Sequence, residues 1–258
     1  MDAKKIRDII ENNRLELRGQ PKWTFGKNTC NTYELFPENI VQEDGTLVPS
    51  VPLLALIEES EELTLLFSRW FLDSALRMAV KLTEETKAHV TLSMNLLPLY
   101  ANQASFYEEV KGFLDSACQS PEKLHLELSE AQSLTDQGVD NLNRLHDELG
   151  VGLLLGNFGT GHSNIDLLRE VHFDGIELDR SFAALIPESE LTCRVIISVL
   201  HLAHTLDLFV CAKGIENQDQ FEFFEELDCE KGQGFLIGLP MPEEELKKYI
   251  EKYAVKFA

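Results

Sequence analysis

Apolar and polar positions along the chain switch repeatedly between two periods. Short alternating or β-branched stretches predict strands at Leu15–Gln20, Thr32–Phe36, His89–Asn95, Leu124–Ser129, Val151–Asn157, Phe173–Leu178, Leu208–Ala212 and Gly234–Ile237. Apolar residues three and four apart predict helices at Val51–Leu82, Ser105–Cys118, Thr135–Leu149, Asn164–Arg169, Cys193–Leu206, Gln218–Leu227 and Glu243–Tyr253. In the first of these, Leu63, Leu66, Phe67, Trp70, Phe71 and Met78 form one broad stripe, the mark of core packing. Residues 1–18 read as an amphipathic N-terminal helix leading into the rest, with Ile6, Ile9 and Ile10 at helical spacing. The last helix starts after Pro242 with Glu243, Glu244 and Glu245 and carries lysines later, as the helix dipole favours.

Strands alternating with helices imply βαβ units and a parallel sheet. A count near eight favours a closed (β/α)8 barrel, and 258 residues match the roughly 250 typical of one. The structural alternative is an open doubly wound sheet, whose GxGxxG fingerprint after the first strand is absent.

Composition narrows the class further. With 44% hydrophobic and 26% charged residues the chain is an ordinary globular sequence, not a disordered or collagen-like one. Its net charge of −21 argues against direct nucleic-acid partners and against anionic membranes, both of which repel an acidic surface. Five scattered cysteines without a CxxC suit free thiols in a reducing cytoplasm. The N-terminus lacks the apolar core of a signal peptide, and no apolar run is long enough to span a bilayer. The expectation is a soluble, cytoplasmic protein.

Barrel enzymes place their chemistry at the C-terminal strand ends. Here those ends carry Glu34, Asn95, Glu127, Gly156, Asn157, Glu177, Lys213 and Gln233. A ring of carboxylates and amides from separate strands suits hard divalent cations and phosphoryl chemistry. Taken singly, each reads more simply as a residue capping a strand end.

The order of short motifs is more specific. Gln20-Pro21-Lys22 resembles an early "YQPK"; Tyr33-Glu34-Leu35 sits at the spacing of an "EAL" signature; Gly45 to Pro49 and Leu56 to Ser60 resemble "GxLVPP…PLAEES". Ser93 to Leu96 resembles "VNLS", Leu126 to Glu130 "LELTE", Gly156 to Ser163 "DDFGTGYS", Ile176 to Phe182 "LKIDRSF", Ala212 to Asn217 "AEGVET", and Gln233-Gly234-Phe235 with Pro240 "QGY…P". Together they resemble an EAL domain over almost the whole chain. That resemblance implies a bacterial (β/α)8 TIM-type barrel with an antiparallel first strand, one domain over residues 1–258, and cyclic di-GMP hydrolysis with two Mg²⁺ or Mn²⁺ ions.

The departures from the family pattern shape the functional expectation. Glu34, Asn95 and Glu127 match family metal ligands. Gly156 and Asn157 stand where the family has two aspartates, Glu177 where it has a lysine, and Lys213 where it has a glutamate. The reversed charges of Glu177 and Lys213 imply an ion pair across the pocket, with the Lys213 ammonium able to stand where a cation belongs. Glu38 occupies the place of a phosphate-binding arginine, which implies weakened cyclic di-GMP binding. Gln20, Leu35 and Gln233 are the candidate ligand-binding residues. Phe158, Gly159, Thr160, Gly161, His162 and Glu216 match a regulatory loop found at a dimer interface in the family.

These replacements lead to the expectation of a catalytically inactive, stand-alone module that binds a regulatory protein partner, with homodimerisation as a further expectation. In that reading there is no metal or other cofactor. The alternatives are a cyclic di-GMP receptor without turnover, or a weak residual phosphodiesterase with Mg²⁺ or Mn²⁺ held by Glu34, Asn95 and Glu127.

Overall fold

Strand β1 (Leu15–Thr24) turns back on β2 (Thr29–Val41) through a loop in which Gly26 and Asn28 adopt φ of 68° and 50°, a conformation that glycine and asparagine tolerate best. The two strands are antiparallel. After the short β3 (Leu47–Pro49), the chain alternates helices with β4 (Thr91–Leu96), β5 (Leu124–Ser129), β6 (Gly152–Phe158), β7 (Gly175–Leu178), β8 (Phe209–Lys213) and β9 (Lys231–Gln233). β2 and β4 to β9 pair successively in parallel, and β9 closes antiparallel onto β1. The result is a closed eight-stranded barrel, with β3 and β10 (Met241–Pro242) as outriggers on β2 and β1. The computed structural model describes residues 2–117, 123–129, 134–160 and 166–257.

Strand alternation sorts the barrel into two faces. Leu92, Met94, Leu96, Leu124, Leu126, Leu128, Leu153 and Leu155 are all buried in the apolar core. The intervening positions carry Ser93, Asn95, His125, Glu127, Glu177, Cys211, Lys213, Lys231 and Gln233, so the lumen is unusually polar. The helix Ala3–Glu11 buries Ile6, Ile9 and Ile10 and is N-capped by Asp2, which accepts from the Lys5 amide at 2.8 Å.

Several elements differ from expectation for identifiable reasons. The N-terminal helix ends at Glu11, not at residue 18, because Asn13 takes φ of 52° and β1 starts at Leu15. The long helix Val51–Leu82 is two helices, Val51–Glu58 and Glu61–Thr86, divided at Ser60, whose side chain caps the second. The helix expected over Thr135–Leu149 closes with a π turn at Leu145–Leu149 and stops at Gly150, with φ of 75°. No strand forms at Gly234–Ile237: the last barrel strand is Lys231–Gln233, and residues 234–238 fold into a turn in which Ile237 and Gly238 donate to the Gly234 carbonyl. Phe235 and Leu236, apolar enough to read as strand, are 61% and 43% exposed there. Part of the helix expected at Asn164–Arg169 lies outside the described residues; its described portion is helical over Leu167–Glu170.

Gly234 sits where a Cβ would lie 2.1 Å from the Ile215 carbonyl oxygen and 2.3 Å from its nitrogen, both unyielding backbone. Gly112, in the helix Phe106–Ala117, has nothing within 4 Å of that position. Urea denaturation should therefore show Gly234→Ala losing about 1–3 kcal/mol, whereas Gly112→Ala gains about 0.5–1 kcal/mol.

Candidate functional site

Inside the C-terminal half of the barrel, three strands each contribute one carboxylate: Glu34 from β2, Glu127 from β5 and Glu177 from β7. All three are at most 1% exposed, and an oxygen of each lies within 4.8 Å of the others. Three anions in one dry cavity repel each other unless cations stand between them. Two lysines supply those cations.

Lys22, on β1, is completely buried. Its ammonium donates to Ser93 Oγ at 2.8 Å, to Glu177 Oε1 at 2.6 Å and, in a short contact, to Glu127 Oε1; Glu34 Oε2 lies 3.7 Å away. Lys213, the last residue of β8, reaches the cluster from the mouth. Its Nζ lies 2.8 Å from Glu34 Oε2, 3.1 Å from Glu127 Oε2 and 2.7 Å from Glu177 Oε2, while its side chain keeps 20% exposure. Asn95 donates to Glu34 Oε1 at 3.5 Å.

Burial alone would drive both lysines toward neutrality, but the carboxylates around them outweigh it and hold both ammonium groups well above the usual lysine range. Glu127 is shifted well below the carboxylate range: burial works against its charge, and Lys213 and Lys22 overcome that. Glu177 moves the opposite way, pushed up by burial and by Glu127. Three carboxylates against two ammonium groups leave one surplus negative charge, so Glu177 is the carboxylate most ready to hold a proton.

A Cβ at Gly156 would lie 3.8 Å from Glu177 Oε2, an ordinary van der Waals distance, so position 156 on β6 and the β7 carboxylate are neighbours. Asn157 is exposed at φ of 51°, within a shift of the β6–β7 register between Leu155 and Phe158. Its carbonyl accepts from Thr160 Oγ1 at 3.0 Å, and Gly159, at φ of 94°, packs so closely on Phe182 that a Cβ would meet the ring at 2.4 Å. Phe158 is buried. Gly161 and His162 lie outside the described residues.

Above the cluster opens a cavity of about 430 Å³ whose lining includes Gln20, Glu34, Asn157, Arg180, Lys213, Glu216 and Gln233. Gln233 Nε2 donates to Gln20 Oε1 at 3.1 Å, joining these two candidate ligand contacts at one wall. A second cavity of about 400 Å³, apolar and walled by Leu54, Ile57, Phe67 and Phe71, shares Phe36 and Asn157 with it.

Two sequence expectations change. Leu35 is not a ligand contact: strand alternation turns it away from the lumen that Glu34 faces, and it is fully buried in the apolar core. Glu38 is not a desolvated charge, although it lines the apolar cavity that adjoins the site. It is the residue skipped between the Glu16–Asn39 and Leu17–Pro37 pairs of β1 and β2, and this bulge leaves it exposed, where solvent screens it.

Lys22 was legible only as part of a motif, not as a site residue. The available signal was its parity with Gln20 on β1, which faces it into the same lumen as the carboxylates. Arg180, on the cavity wall, was likewise passed over inside its motif.

The three carboxylates are the hard oxygen donors that Mg²⁺ or Mn²⁺ prefer. Glu34 Oε2 and Glu177 Oε2 are buried without an aligned hydrogen-bond donor, which suits a spherical cation. The residues nevertheless fit one ion, not two. Lys22 is sealed in the lower position, and the upper position is the one held by Lys213.

Metal-free urea denaturation should show Lys22→Met costing about 3–5 kcal/mol, the range for a broken buried ion pair, and Lys213→Met costing less because its side chain meets solvent. A second expectation concerns pH. Because the folded state depresses the Glu127 pKa, its stabilisation is complete above the unfolded value of about 4.3 and is lost as pH falls from there through the lower folded value. Glu127→Gln should flatten the acid limb of the stability curve.

Comparison with known proteins places this geometry. The family model "EAL domain" matches residues 3–240. The cyclic di-GMP phosphodiesterase NbdA of Pseudomonas aeruginosa is 29% identical over 251 residues, covering 96% of this chain and 32% of that protein. The cyclic di-GMP phosphodiesterase RocR of the same species is 32% identical over 162 residues, covering 62% of this chain and 41% of RocR. The PaMucR phosphodiesterase in its c-di-GMP complex superimposes with a TM-score of 0.83 at 28% identity, covering 94% of this chain and 98% of that one. The chain spans about a third of the length of the first curated relatives it matches.

These relatives overturn the expectation that the chain is not an enzyme. The similar proteins named here are phosphodiesterases, which favours enzymatic activity, and the replacements at Gly156, Asn157, Glu177 and Lys213 do not by themselves establish its loss. They lend no support to a protein-docking role in place of catalysis. Among the described residues no helix is long and apolar enough to cross a membrane. With a closed barrel whose first strand runs antiparallel, carboxylates at the strand ends and a family match from residue 3 to residue 240, the chain belongs to the EAL domain family.

Proposed function

We propose that this chain binds cyclic di-GMP at the mouth of the barrel and hydrolyses it slowly to the linear dinucleotide, as a weak phosphodiesterase in cyclic di-GMP signalling. The observation that carries this reading is the convergence of Glu34, Glu127 and Glu177 beneath a cavity of ligand size.

The cavity suits a phosphodiester with purine bases. Arg180 supplies a guanidinium on the wall, and such a group pairs with phosphate through two parallel hydrogen bonds. Gln20 and Gln233 also line this cavity, and Gln233 Oε1, buried without a partner, is an acceptor for a base edge. Phe235, 61% exposed at the rim, offers an aromatic face of the kind on which bases stack. Glu38 is exposed and screened by solvent, though it lines the adjoining apolar cavity.

Glu34, Glu127 and Glu177, with the Asn95 amide beside them, are the residues that would hold a single divalent ion. Such an ion, when bound, lowers the pKa of water and stabilises charge on a phosphoryl oxygen. The chain's own contribution is to hold and orient the diester at the cavity lined by Gln20, Arg180 and Gln233.

Incubation of the protein with cyclic di-GMP and Mn²⁺ should yield linear pGpG at a slow rate above the protein-free blank. Glu127→Ala should lower that rate by about 10–100-fold, as loss of a metal-site group does. Absence of linear product above the blank over a long incubation would contradict hydrolysis.

A further inference from the structure

The two ammonium groups that meet the carboxylates are not equivalent. Lys22 has no solvent-exposed surface and is held from below by Ser93, Glu127 and Glu177. Lys213 enters from the mouth, keeps a fifth of its side chain exposed, and touches only the upper oxygens: Oε2 of Glu34, of Glu127 and of Glu177. Those three oxygens form a triangular nest around one cation. The residue that follows is Gly214, at φ of 83°. A Cβ there would lie 2.5 Å from Arg180 Cβ and 2.9 Å from its Cα, so the strand ends in a backbone bend just where the lysine leaves it.

We propose that Lys213 is a tethered competitor for the divalent-ion position: its ammonium occupies the nest of Glu34, Glu127 and Glu177 until an Mg²⁺- or Mn²⁺-type ion displaces it into the mouth, while Lys22 remains as a permanent second cation. The inference concerns regulation of the site proposed above and rests on that reading.

Charge counting supports exchange in both directions. Three carboxylates and two ammonium groups sum to −1; three carboxylates, Lys22 and one divalent ion sum to zero. The ion therefore relieves a surplus charge that the lysine leaves in place. Against this, the lysine is covalently attached and competes at an effective concentration on the order of millimolar. The site is thus filled by lysine at low divalent-ion concentration and opens as that concentration rises. Release of the ammonium also moves a positive charge toward Arg180 and the cavity that would take the phosphates.

The test is titration of nucleotide-free protein with Mn²⁺, followed by calorimetry, comparing the wild type with Lys213→Met. Removing the competitor should tighten Mn²⁺ binding by at least about tenfold. Equal affinity in the two proteins, including no binding in either, would overturn the proposal. If Lys213→Met loses the barrel circular dichroism spectrum, the wild type still decides the matter. Lysine acylation read by mass spectrometry should show Lys213 growing more reactive as Mn²⁺ is added while Lys22 stays protected. Unchanged Lys213 reactivity across the Mn²⁺ series would overturn the proposal. Because no nucleotide is present, this experiment can fail while hydrolysis is observed, and can succeed while hydrolysis is not.

Discussion

Three buried carboxylates held apart by two ammonium groups are the interaction on which the rest of this structure depends. A barrel lumen filled with leucine and valine would need no such arrangement. Here the inward positions of β1, β2, β5, β7 and β8 carry Lys22, Glu34, Glu127, Glu177 and Lys213, and the strands can close only if their charges interlock. A buried pair is weak evidence for added stability, because desolvation offsets attraction. What the cluster does is couple five strands: each ammonium meets carboxylates on three other strands, and removing one leaves three anions sharing a single cation.

The fold sets the chemistry through parity. In each strand one residue in two faces the lumen, so Glu34 is available while Leu35 is lost to the core. Ser93 and Asn95 likewise share a face, with Met94 between them turned into the apolar layer. The same parity sets Gly156 of β6 beside the Glu177 carboxylate of β7. The chain's acidic surface and the two lysines that meet the carboxylates are separate matters: nearly all of the net charge of −21 lies outside the cluster, whose three carboxylates and two ammonium groups sum to −1.

Much of this was legible in the sequence. The strand ends bearing Glu34, Asn95 and Glu127 follow from periodicity, and the reversed charges at 177 and 213 pointed to the contact that Lys213 Nζ makes with Glu177 at 2.7 Å. What escaped had physical causes. Lys22 lies late on β1, two residues after Gln20, and its hydrogen-bond partners are 71 to 155 residues away in sequence. Glu38 reads as a regular strand position, but the bulge that ejects it depends on a register set by its partner strand. Gly234 to Ile237 has the composition of a strand, and only the crowding of Gly234 against the Ile215 backbone shows that the chain must turn there. Inferring inactivity from four replaced positions failed because such replacements do not by themselves establish a loss of activity, and similar proteins are phosphodiesterases.

The measurement that tests this account most directly is a crystal structure of the protein grown with Mn²⁺, with ions located by their anomalous scattering. The account predicts a single ion against Glu34, Glu127 and Glu177, with Lys213 swung into the mouth and Lys22 unmoved between Glu127 and Glu177. Two adjacent ions in the lumen with Lys22 expelled would contradict it.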